Sequence, residues 1–238
     1  RLSRRQLTSV NGLENLPQLR SLYLDYNKLT DVTGLEKLTK LTILNLFNNQ
    51  LTSVKGLSKL TQLESLSLER NQLTDVKGLE KLTGLKYLML ANNQLTKIPK
   101  GLEKLSQLEI LTLSHNELTE VKRLENLAQL RDLYLSNNQL TAVNDLERCT
   151  QLKKLWLGNN PDLTKTQIDK LQKVLPNCKI YSNPRLNSEE SENAIEKVIR
   201  KQIKKPTGEL TKVDLGKVTE LKLFDKQLNG LTDVKGLE

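Results

Sequence analysis

Apolar and polar positions along this chain follow a block that returns almost unchanged from Leu19 to Asn160. Its clearest copy is residues 63–84, LESLSLERNQLTDVKGLEKLTG, where Leu63, Leu66 and Leu68 are followed by Asn71, Leu73, Val76, Leu79 and Leu82. The leucines at the fourth and sixth positions alternate with exposed residues, which predicts a short strand with one buried face. The later apolar positions lie three apart. They predict a helix-like or extended return path rather than a long α-helix, with Gly78 at its bend. A unit too short to bury its own apolar face, copied at a fixed period, predicts a solenoid.

Units begin at Leu19, Leu41, Leu63, Leu85, Leu108, Leu130 and Leu152, so every interval is 22 residues except one of 23. The longer interval contains Lys97-Ile98-Pro99-Lys100-Gly101, read as an outer loop bulge. The ninth position is Asn27, Asn49, Asn71, Asn93, Asn116, Asn138 and Asn160. An amide on a short arm offers two donors and an acceptor, so these residues are expected to form a ladder that satisfies loop backbone groups. Residues 1–18 enter the pattern at its fifth position, with Arg5 in the asparagine phase.

After Asn160 the pattern changes. Ile168, Leu171, Val174 and Leu175 are spaced as one face of a helix that Pro176 ends. Leu175-x-x-Cys178-x-Ile180 reads as the first, fourth and sixth positions of a last strand. Residues 1–181 are therefore expected to be one repeat domain with a helical cap at 163–181. The polar stretch 182–193 reads as a linker. In 194–238, Ala194, Ile195, Val198, Ile199 and Ile203 predict a helix broken at Pro206-Thr207-Gly208. Leu221 and Leu223 then predict a strand, with Lys226 in the asparagine phase.

The template L-x-x-L-x-L-x-x-N-x-L-x-x-V-x-x-L-x-x-L resembles the leucine-rich repeat, in the 22-residue variety of bacterial internalins and of a protein-phosphatase regulatory subunit. Residues 194–238 resemble the N-terminal cap of such a domain and the start of a further repeat. The resemblance implies an α/β solenoid with a curved parallel sheet on its concave face and helical caps. It also implies a role in scaffolding or recognition, with the concave face as the binding surface.

Chemistry narrows this little further. His115 is the only histidine, and no second ligand in phase supports a metal site. Pro206-Thr207-Gly208-Glu209 lacks phosphate-loop spacing, and no nucleophile elbow or paired carboxylates are present. No enzyme activity, cofactor or metal is expected. Cys149 stands in the slot of Leu38, Leu60 and Leu82, and Cys178 is read in a strand leucine slot. Two buried thiols acting as small apolar residues give no support for a disulfide-stabilised secreted protein. No run of about 18 apolar residues could span a bilayer.

The exposed strand positions (second, third, fifth, seventh and eighth) line up across units about 4.8 Å apart, predicting a face on the order of 35 Å long. Six of the eight aromatic residues fall there: Tyr23, Tyr26, Phe47, Tyr87, Tyr134 and Trp156. Ile43, Met89, Ile110, Glu69, Arg70 and His115 join them. Large apolar side chains on a solvated face point to a protein-binding patch; packing across neighbouring strands would equally stiffen the sheet. The net charge of +9 raises nucleic acid as a partner. The same columns, however, mix Asp25, Glu64, Glu109 and Asp132 with Arg20, Lys86, Arg131 and Lys154, against the single sign a strand-tracking groove needs. The expectation is a non-enzymatic module that binds a protein on this face. The alternative is a solenoid that self-associates through open repeat ends, residues 194–238 of one chain stacking on the Arg1 end of another.

Overall fold

A computed structural model describes residues 1–185 and 188–218, with the backbone alone at 188–192 and 194. Eight three-residue strands form one parallel sheet in chain order: β1 (Ser21–Tyr23), β2 (Ile43–Asn45), β3 (Ser65–Ser67), β4 (Tyr87–Met89), β5 (Ile110–Thr112), β6 (Asp132–Tyr134), β7 (Lys154–Trp156) and β8 (Lys179–Tyr181). The register advances one unit per strand. Leu22 pairs with Leu44, Leu44 with Leu66, and so on to Leu155 with Ile180. Ahead of β1 the ladder continues, because Leu2 N donates to Tyr23 O at 2.8 Å and Arg4 N to Asp25 O at 2.9 Å. Residues 1–18 thus occupy the partial unit their phase implies.

Six return paths each turn through a single 3-10 turn: Leu13–Asn15, Leu35–Lys37, Leu57–Lys59, Leu79–Lys81, Leu102–Lys104 and Asn144–Arg148. Three residues of 3-10 helix place one leucine inward before the chain heads back. That suits an apolar spacing of three better than an α-helix would. Gly78 enters its turn at φ +107°, and its N–H donates to Glu80 Oε2 at 2.6 Å. Gly34 with Glu36 repeats this arrangement at 2.6 Å. The backbone N–H groups hold both carboxyls below their usual range. In the fifth full unit Arg123 takes the glycine place at φ +75°, and no 3-10 turn follows it.

The leucines of all units merge into one core running from Val10 to Cys178. Helix α1 (Lys165–Val174) closes it, starting at a capping box in which Thr164 Oγ1 accepts from Gln167 N at 3.3 Å and Gln167 Oε1 accepts from Thr164 N at 2.9 Å. α1 lies on the 3-10 turn 144–148, tied to it by Lys170 Nζ–Glu147 at 3.0 Å.

Three readings of the cap need correction. Ile168, Leu171 and Leu175 are buried, whereas Val174 is 42% exposed. At 3.6 residues per turn, position 175 returns to the azimuth of 168 and position 174 does not. The last strand is displaced by two residues, since Ile180 pairs with Leu155 and not with Leu157. A shift of two keeps every side chain on its own face, so the sequence pattern could not exclude it. Cys178 consequently precedes β8, where its N–H closes the bend on Leu175 O at 3.1 Å. The stretch read as a linker, 182–193, is helical from its seventh residue: α2 spans Ser188–Ile203. Polarity alone does not separate a linker from the solvated first turns of a helix.

Beyond α2 the chain turns through Lys204 and Gly208 at positive φ into a short helix α3 (Lys212–Leu215). Arg200 Nη2 donates to Gly208 O at 2.7 Å, and Lys205 Nζ reaches Asp214 Oδ2 at 2.6 Å. That ammonium, with the Thr211 N–H and hydroxyl, holds the Asp214 carboxyl well below the usual range. The strand expected at Leu221–Leu223, Lys226 and the further repeat lie outside the described residues. So do residues 219–238 of the segment on which the self-association expectation rests.

Candidate functional site

The asparagine ladder forms as a continuous bridge between units. Asn71 Oδ1 accepts from Leu51 N at 3.0 Å, and its Nδ2 donates to Leu46 O of the preceding unit and Leu68 O of its own, both at 3.0 Å. Asn49, Asn93, Asn116, Asn138 and Asn160 repeat the triad. At the start of the array, Asn27 Oδ1 accepts from both Arg5 N and Leu7 N. All seven are buried, so the ladder is framework and not a site open to a partner.

The face opposite the leucines is a different surface. Every described aromatic side chain lies on it and none is in the core: Tyr23, Tyr26, Phe47, Tyr87, Tyr134 and Trp156, and also Tyr181. Tyr181 belongs to this face in either phase, seventh position as read or fifth as observed, and the two-residue displacement of β8 sets it opposite Trp156. Its signal in the sequence is the alternation Cys178-x-Ile180-Tyr181, which puts the ring on the face opposite Ile180. The strand face also holds Ile43, Met89 and Ile110, each partly buried among neighbours.

The aromatics fall into two groups. Towards the cap, Tyr134 and Trp156 stack at 3.9 Å between centroids and 8° between planes, and Trp156 and Tyr181 follow at 5.1 Å and 13°. Towards the first unit, Tyr26 meets Phe47 edge-on at 5.2 Å. Guanidiniums cover this second group, with Arg4 Cζ 4.4 Å from the Tyr26 centroid and Arg70 Cζ 5.6 Å from that of Phe47. Tyr87, 36% exposed, stands between the groups with no described ring partner.

Glu69 lies in the middle of the face, half-buried, with Thr112 Oγ1 donating to its Oε1 at 3.3 Å. Loss of water raises its carboxyl above the usual value, while Thr112 and the Arg70 charge pull the other way. Opposite charges on the face pair across strands, as in Lys86–Glu64 at 3.0 Å and Lys154–Asp132 at 3.7 Å.

The eighth position has a conformation that the spacing did not reveal. Arg4, Tyr26, Asn48, Arg70, Asn92, His115, Asn137 and Asn159 all have φ between 53° and 58°. Four units use asparagine, the residue that tolerates this left-handed region best. Along this column Asn137 Nδ2 lies 3.2 Å from His115 Nε2, Asn159 Nδ2 donates to Asn137 Oδ1 at 2.8 Å, and Asn183 Nδ2 donates to Asn159 Oδ1 at 2.9 Å. His115 is therefore exposed and engaged with a neighbouring amide.

Among the described residues no group of His, Cys, Asp or Glu could hold a metal ion. No described helix is long and apolar enough to cross a membrane. Cys149 and Cys178 are both free and buried, and burial pushes the first thiol up to about 12 and the second up to about 11. Thiols so protonated are poor nucleophiles.

A family model described as Leucine Rich repeats (2 copies) matches residues 39–81 and 128–177, and a second, Leucine rich repeat, matches residues 74–118. Together they cover more than half of the chain. No curated protein matches at a significant level. Among solved structures, an internalin (inlF) of Listeria monocytogenes is 28% identical, with a TM-score of 0.67 over 79% of this chain and 61% of that one. Internalin C2 of the same organism is also 28% identical, with a TM-score of 0.70 over 76% and 80%. A leucine-rich repeat protein of Leptospira interrogans is 30% identical, with a TM-score of 0.57 over 71% and 50%. The chain spans about three fifths of the first of these structures and half of the last.

Proposed function

Because the chain belongs to the leucine-rich repeat proteins, a family of interaction modules, we propose that it is a non-enzymatic recognition module that binds a protein partner on its strand face. One observation carries this reading. All seven described aromatic residues lie on that face while the core is built without any of them. A core of leucine and valine is sufficient for the solenoid, so these rings are not required to hold it together. Large rings held by their neighbours lose little conformational freedom on binding, which suits them as anchors.

The test is a selection of displayed protein fragments on the immobilised chain, followed by affinity measurement against variants. Tyr87→Ala and Trp156→Ala should each weaken a selected partner at least tenfold. Lys59→Ala and Lys104→Ala, on the return side, should leave affinity unchanged. Partners that respond to the lysines and ignore the rings would overturn the assignment.

A further inference from the structure

We infer that the end of the strand face nearest the first unit binds an extended acidic segment of the partner, gripped at two points by Arg4 and Arg70. This rests on the recognition reading and adds the chemistry of what is recognised. Three features of the same four side chains support it.

The first is how the two arginines are held. Arg4 lies on Tyr26 at 4.4 Å and Arg70 on Phe47 at 5.6 Å, and the two rings brace each other at 5.2 Å. A guanidinium lying on a ring keeps its charge and its in-plane N–H fork, the geometry that matches a carboxylate bidentately. The second is that neither guanidinium is tied up in an internal ion pair, although the Glu69 carboxylate is near enough to feel the Arg70 charge. Elsewhere on the face Lys86 and Lys154 pair with Glu64 and Asp132, but no carboxylate among the described residues forms an ion pair with Arg4 or Arg70. The nearest acid in sequence, Glu69, accepts from Thr112 Oγ1 instead.

The third is backbone conformation. Arg4, Tyr26 and Arg70 adopt φ of 57°, 55° and 53° at the position where Asn48, Asn92, Asn137 and Asn159 adopt the same angles at lower cost. Large side chains kept in the left-handed region mark positions where side-chain direction matters more than local stability.

Spacing defines the ligand further. Arg4 and Arg70 occupy the same position of units three strands apart, about 14 Å. An extended chain covers that distance in about four residues, and residues i, i+2 and i+4 share one face of it. The segment that fits therefore carries acidic side chains at i and i+4, one for each arginine, and an apolar one at i+2 between them.

The probe is a fluorescein-labelled peptide containing Glu-Thr-Leu-Thr-Glu, compared by fluorescence anisotropy with its Gln-Thr-Leu-Thr-Gln counterpart. The glutamate peptide should bind at least tenfold more tightly in 50 mM NaCl, and the advantage should shrink in 500 mM NaCl. The double variant Arg4→Gln/Arg70→Asn should lose at least tenfold for the glutamate peptide with its thermal unfolding intact, because asparagine suits the left-handed site. Equal binding of the two peptides, binding of neither, or a double variant that binds like the parent overturns the inference. A selected partner that depends on Trp156 and is indifferent to Arg4 and Arg70 also overturns it, while leaving the recognition reading in place.

Discussion

Replacing Asn71 by alanine removes four hydrogen bonds, but the four partners are not left in the same state: Glu69 O, the most weakly bound at 3.3 Å, keeps Asn48 N at 2.9 Å. Leu46 O retains Asn49 Nδ2 at 3.1 Å, and Leu68 O retains Asn93 Nδ2 at 3.0 Å. Only the Leu51 N–H, whose described partner is Asn71 Oδ1, is left buried and unpaired. One such orphan, with two weakened acceptors, should cost about 2–3 kcal/mol. At the end of the ladder the accounting differs. Asn160→Ala orphans Leu140 N–H, and it also strips Leu157 O of its bond from Asn160 Nδ2, for which no further ladder asparagine substitutes. Two orphans should cost about 3–5 kcal/mol. At the other end buried Leu24 O, which Asn27 also serves, retains Asn49 Nδ2, while Arg5 N, Leu7 N and Leu2 O bond to Asn27 in a partly buried setting where water can replace it, so the loss should be about 1 kcal/mol. Arg5→Ala, in the same phase with an exposed side chain, should stay within about 0.5 kcal/mol. Urea titrations followed by circular dichroism, with the slope checked for constancy, give these differences directly. The expected order is Asn160, then Asn71, then Asn27, then Arg5. Equal losses at all four sites, or an Asn71 variant as stable as the parent, would refute the ladder argument.

Arg123→Gly should raise stability by about 1 kcal/mol, read as a rise of about 2–4 °C in thermal midpoint, because it relieves a left-handed arginine where other units have glycine; an unchanged or lower midpoint counts against the strain. Tyr87→Ala should change stability by less than about 0.5 kcal/mol, whereas Trp156→Ala breaks two ring stacks and should cost about 1–2 kcal/mol in the same titration. Identical small losses would mean that the stack adds nothing. Glu69 is raised by burial, so the folded state holds its proton more tightly than the unfolded chain does. Its contribution therefore favours folding at low pH and is lost as pH rises through the folded value. Glu69→Gln should consequently be the more stable protein at pH 7 and lose that advantage below pH about 4; a pH-independent difference would show that the carboxylate is not the cause.

Much of this architecture was legible in the sequence because a solenoid repeats its environments. A leucine at the fourth position meets the fourth-position leucines of both neighbours, as Leu66 meets Leu44 and Leu88, so one unit's pattern already describes its tertiary contacts. The same translation carries the ladder, since an asparagine 22 residues on must find the same carbonyl and N–H. Where translation ends, the reading weakened. The phase of β8, and with it the placing of Cys178 and Tyr181, was ambiguous by two residues because strand alternation has period two. The exposure of Val174 depended on which azimuth of α1 faces the last 3-10 turn.

The sequence by itself determined the period, the buried leucine columns, the ladder and the column of rings on the opposite face. Each of these follows from side-chain polarity at a fixed spacing. Tertiary structure alone decided the left-handed eighth position, the pairing of rings into two groups and the guanidiniums over Tyr26 and Phe47. It also decided the desolvation of Glu69. The ring and guanidinium contacts arise between side chains about 21 or more residues apart on the strand face, where polarity does not dictate a partner and only the distances between neighbouring strands do.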